Sequence, residues 1–99
     1  MSYAQKVREH VRLTILRLLE EDPNYTMNES MLTDMVPEYG FTQSRDQIRT
    51  ELAWLREQGL IRYDSNPVII IAHLTGRGAD VALGRTTVPG VKRRSSGRS

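Results

Sequence analysis

The stretch SRDQIRTELAWLREQGLI, Ser44 to Ile61, constrains the fold most, because residue chemistry marks both of its ends. Ser44 followed by Gln47 is a Ser-x-x-Gln capping box: the serine oxygen accepts from the backbone three residues on, and the glutamine side chain reaches back to the serine N–H. Ile48, Leu52 and Leu55 then recur on one face of a helix. Gly59 stands where a helix commonly ends on a left-handed residue, and Leu60-Ile61 begins a strand. With the apolar face inward, a 100° step per residue turns Asp46, Thr50, Ala53 and Glu57 straight outward. Arg45, Arg49 and Arg56 fall on one flank, and Gln47, Trp54 and Gln58 on the other.

The segments around it complete a small fold. Val7, Val11, Ile15, Leu18 and Leu19 predict an amphipathic helix over Tyr3 to Glu21. Leu13 and Leu16 widen its stripe, so this helix is clasped on two sides. Asp22-Pro23-Asn24 ends it. Tyr25-Thr26-Met27 reads as a one-rung strand. A second helix starts either at Asn28 or at Thr26, whose Thr-x-x-Glu spacing to Glu29 competes. Met31, Leu32, Met35 and Val36 form its expected buried stripe, and Pro37 and Gly40 stop it. After Ile61, the run Asp64-Ser65-Asn66-Pro67 is a turn by composition, and Val68 to Leu74 is β-branched and apolar, hence a strand. Thr75 caps a short last helix with Ala79, Ala82 and Leu83 as its apolar face. Residues 85–99 read as a disordered tail.

Charge divides along the same boundary. Residues 1–84 carry nine Lys and Arg against all twelve acids, a net −3, while residues 85–99 carry five cations and no acid. The overall +2 therefore belongs to the tail, and the body is mildly acidic. The 99 residues contain no cysteine, which removes disulfides, thiol catalysis and cysteine-based zinc sites. The apolar run Val68 to Ala72 is far too short to span a bilayer, and the N-terminus MSYAQKVREH has no apolar signal core. The expectation is a soluble, cytoplasmic protein with no membrane partner.

The order helix, stub strand, helix, helix, strand, turn, strand, short helix predicts an α+β winged helix-turn-helix. It comprises a three-helix core closed by a C-terminal two-stranded β-hairpin, over residues 1–84, followed by the basic tail. LAWLREQGLI, a hairpin and LTGRGADVALG together resemble the winged-helix core of bacterial regulators. The whole chain also resembles a small protein of Mu-like phages and prophages. The segments that carry this are VREHVRLTILRLLEEDPNY, NESMLTDMVPEYG, SRDQIRTELAWLREQGLI, IAHLTGRGADVALGR and VPGVKR. That resemblance implies a winged helix in a phage setting near late functions such as DNA packaging. It supplies no chemistry, because fold analogy alone stands behind the regulator label.

Two functions follow as expectations. In the first, a DNA-binding protein, Ser44, Arg45, Gln47, Arg49 and Thr50 face the major groove of double-stranded DNA, where Arg forks onto guanine and Gln onto adenine. Arg62 on the wing and Lys92, Arg93 and Arg94 in the tail then lie along phosphates. Against it, Asp46 and Glu57 share the outward face, and the turn 64–67 offers no cation. In the second, a protein-interaction adaptor in phage assembly or packaging, Trp54 with Leu13 and Leu16 forms a partner or homodimer face. The plainer reading has Trp54 packed under the first helix or the ribbon, and Leu13 and Leu16 covered by the last helix. His10 and His73 stand beside no nucleophile or paired carboxylate, and GRG at Gly76 to Gly78 lacks the phosphate-loop pattern. No enzyme, metal, cofactor or small-molecule substrate is expected.

Overall fold

The computed structural model describes residues 2–64 and 67–94. Its order is α1 (Tyr3–Glu21), β1 (Thr26–Asn28), α2 (Glu29–Met35), a 3-10 turn (Val36–Tyr39), α3 (Arg45–Glu57), β2 (Ile61–Arg62), β3 (Ile71–Leu74) and α4 (Gly76–Ala82). The class is α+β, with four helices and a small antiparallel sheet.

The sheet has three strands rather than a two-stranded hairpin, in the order β1-β3-β2. The stub strand makes a full partner: Thr26, Met27 and Asn28 face His73, Ala72 and Ile71. On the other side of β3, Ile61 faces Leu74 and Arg62 faces His73. β3 begins only at Ile71. Val68 is 100 % exposed, and beyond it the run alternates, with Ile69 and Ile71 exposed and Ile70 and Ala72 buried. Ser65 and Asn66 of the expected turn lie outside the described residues.

The helix ends follow side-chain chemistry. Ser44 Oγ accepts from Gln47 N at 3.1 Å while Gln47 Oε1 accepts from Ser44 N at 2.8 Å, so the capping box forms. Asn28 settles the competition at α2 by accepting from Met31 N at 2.8 Å. Thr26 instead donates to Asn24 O and meets His73 Nδ1. Thr75 caps α4 through Gly78 N and also donates to Gly59 O at 2.8 Å, which ties α4 to the end of α3.

Ile48, Leu52 and Leu55 are fully buried, together with Val11, Ile15, Leu19, Leu32 and Leu60. Each such side chain truncated to alanine costs about 2–5 kcal/mol. Leu13 and Leu16 are also core residues, because α4 and the C-terminal segment pack on the second side of α1. They are therefore closed to a partner or a dimer, a correction to the interface expectation. Of the expected apolar face of α4, Ala82 is buried and Ala79 and Leu83 are half-buried, and Gly78 and Val81 complete the buried side. Met31 leaves the predicted stripe of α2 and is 47 % exposed, because Leu32 and Val36, one turn apart, take the buried direction.

The largest departure is the tail. Residues 85–94 are not disordered: Val88 and Val91 join the core, and Lys92 N donates to Glu9 O. Composition missed this because two valines among polar residues seal an apolar seam on α1 that exists only once the helices have packed. The last five residues lie outside the described residues.

Candidate interaction surfaces

The exposed face of α3 is organised by a residue the sequence reading had treated only as a capping partner. Glu29, the first residue of α2, is 1 % exposed. Its Oε2 accepts from Ile70 N at 2.5 Å, and Arg49 Nη1 donates to both carboxylate oxygens at 3.0 and 2.8 Å. Arg45 Nε lies 3.5 Å from Oε1. Burial pushes this carboxyl upward, but the Ile70 N–H and the two guanidinium groups outweigh it and hold it below its ordinary value of 4.5. The cluster joins α2, α3 and the segment entering β3. The signal for it was present: two arginines one turn apart on the flank of a helix invite a shared anion.

Among the expected DNA contacts, Ser44 and Gln47 are exposed but turned on each other in the capping box. Thr50 is exposed and its hydroxyl donates to Asp46 O. Arg45 and Arg49 keep 54 % and 36 % of their side chains open while bound to Glu29. Arg56 lies over the Tyr63 ring at 4.6 Å, and Arg62 is exposed on β2. In number, Arg45, Arg49, Arg56 and Arg62 are matched by Glu29, Asp46, Glu57 and Asp64 of α2, α3 and the residue after Tyr63. In the C-terminal segment Lys92 is half-buried, Arg93 exposed, and Arg94 donates to Ala82 O at 3.0 Å. The structure does not bring these three to the Arg45-Arg49 flank, because the segment is anchored to α1 and α4.

Trp54 is half-buried, on the opposite flank of α3, and its neighbours belong to this chain. Arg12 lies over its ring at 3.9 Å, and the same guanidinium donates to Glu51 at 2.6 Å and to Gly90 O at 2.9 Å. Glu51 is therefore a buried partner of Arg12. Gly90, at φ +97°, rests on the indole so closely that an added Cβ would stand 2.5 Å from its ring. A Gly90→Ala protein should lift this strap at a cost of about 2 kcal/mol. Its Trp54 emission should move to the red in the folded state. An unchanged spectrum and melting curve would show that the contact is dispensable.

Away from both regions, a groove of about 560 Å³ opens between the end of α1, β1, α2 and the 3-10 turn. Leu18, Met27, Met31, Met35, Tyr39 and Ile71 supply its apolar walls, and Glu21 and Asp22 stand on its rim. Sequence reading took Met31 and Met35 as core; their spacing was correct, but whether anything covers them is a tertiary matter. His10 meets the Phe41 ring at 5.4 Å, and His73 meets Thr26. Among the described residues no three His, Asp or Glu gather as metal ligands, and no helix is long and apolar enough to cross a membrane.

Fold and surfaces describe a small α+β chain with an arginine-carboxylate cluster on one side and a methionine groove on another. Over 85 residues it is 46 % identical to the uncharacterized protein gp26 of Escherichia phage Mu, covering 86 % of this chain and 88 % of that one. The chain belongs to the family of that Mu protein. An uncharacterized protein of Haemophilus influenzae is 44 % identical over 61 residues, 62 % of this chain and 59 % of its own length. No family model matches the chain, and no solved structure matches it.

Proposed function

We propose that this chain is a winged-helix adaptor of Mu-like phages, a non-enzymatic module that works by binding another protein. One observation carries the reading. On the side that duplex DNA would meet in a winged helix, Arg45 and Arg49 are already bound to the buried Glu29, and α3 also exposes Asp46 and Glu57. Non-specific DNA affinity comes from uncompensated cations that release counterions from phosphate, and these arginines are tied to a carboxylate instead. Of the exposed large apolar side chains, Met31, Tyr39 and Ile71 line one groove, while Tyr3, Tyr25, Val68 and Ile69 are exposed outside its lining; such a groove is the kind of apolar patch a protein partner covers. Phage assembly and DNA packaging are the settings in which such an adaptor would act.

Duplex DNA is the second reading, favoured by the exposure of Ser44, Arg45, Gln47 and Thr50 on the first turns of α3. A gel-shift series against ionic strength separates the two. The full chain should leave a generic duplex unshifted at physiological salt. A complex that forms there, weakens steeply with added salt and disappears in an Arg45→Ala/Thr50→Ala protein would establish the DNA reading instead. The basic end is best probed by Arg93→Glu. Cutting the chain after Gly84 would strip Val88 and Val91 from the core and confound charge with folding.

A further inference from the structure

The groove is set in a strongly acidic frame. Glu20, Glu21 and Asp22 close α1, the helix has no basic residue in its last turn, and Glu21 and Asp22 line the groove. Asp34 and Glu38 adjoin its lining residues Met35 and Tyr39. The charge of Arg17 reaches Tyr39, and its Nε is buried without a hydrogen-bond partner among the described residues. Glu20, Glu21 and Asp22 sit at the negative end of the α1 dipole, where acidic side chains weaken a helix and cations strengthen it. Local rules broken this way point to a functional demand.

We propose that this groove takes an amphipathic helix of a partner protein, one with large aliphatic anchors along one face and Lys or Arg on both borders. The inference rests on the adaptor reading and names the partner that reading needs. Methionine walls suit this occupant, because unbranched thioether side chains repack around anchors of different shape. Anchors spaced three and four residues apart would lie along Met31, Met35 and Tyr39. The flanking cations would then meet Glu21 and Asp22 and complete the α1 terminus electrostatically. β1 is a sheet edge, but its three residues are too few to recruit an added strand.

The test uses the full chain and two synthetic helices of about four turns. Both carry the same leucine face, one bordered by lysine and the other by glutamate. Methyl spectra of ¹³C-methionine protein report the site, since the chain has only four methionines. The lysine helix should bind at least tenfold more tightly than the glutamate helix at low salt and shift the Met27, Met31 and Met35 methyls. A Met31→Lys protein should fold normally and lose binding about tenfold. Glu21→Lys should weaken binding while leaving the chain at least as stable. Equal binding of the two helices, no binding, or shifts confined to residues outside the groove would overturn the proposal. A failure here leaves the adaptor reading standing unless the duplex titration also turns positive, so the two failures are distinguishable.

Discussion

A Glu29→Ala protein is expected to lose about 3 kcal/mol of stability, out of the roughly 5–15 kcal/mol that a domain of this size holds. The carboxylate is the acceptor for the buried Ile70 N–H and the shared anion for Arg45 and Arg49. Its removal strands the N–H, costing about 1–3 kcal/mol, and leaves two guanidinium groups facing each other. That repulsion adds less than in a sealed interior, since both arginines remain partly in water. Glu29→Gln keeps an acceptor for Ile70 and should lose roughly half as much. Because the folded carboxyl titrates below its ordinary value, its contribution is complete above about pH 4.5 and disappears as pH falls through the lower folded value. Urea unfolding of wild type and Glu29→Gln between pH 7 and pH 3 should therefore converge on acidification. Parallel curves would mean that the carboxylate charge does not stabilise the fold.

Gly78→Ala should destabilise by a similar amount for a steric reason. A Cβ at this position would overlap the carbonyl oxygen of Leu60 and press on Leu74 Cδ1. Alanine favours a helix over glycine by about 1 kcal/mol, but forcing α4 away from the start of β2 costs about 3 kcal/mol or more. Backbone cannot yield as a flexible side chain would, so the overlap wins. A net loss of about 2 kcal/mol lowers Tm by roughly 10 °C in a chain of this length. Gly76→Ala supplies the control: an added Cβ meets nothing within 4 Å, and the variant should melt at or slightly above wild type. If both variants melt together, α4 is not seated against the sheet.

The contrast between these two glycines shows where sequence reading stops. Both occur in LTGRGADVALG, and glycine has the same weak helix propensity at either position. The sequence does not say which one touches Leu60. The same limit holds for the arginines of α3: their flank was legible from the helical period, but the anion they bind lies twenty residues away. Val88 and Val91 were visible as apolar residues, yet the seam they fill is made by α1 and α4 together.

Local chemistry alone determined the helices, their caps at Ser44 and Thr75, the inward face of Ile48, Leu52 and Leu55, and the excess of positive charge at the C-terminal end. These depend on backbone hydrogen bonds and side-chain periods that span a few residues, so a short window contains their cause. Tertiary structure decided the third strand, the burial of Glu29 and Glu51, the strap over Trp54 and the open methionine groove. Each of those joins groups far apart in the chain. Its free energy comes from removing water between surfaces that only the assembled fold brings together.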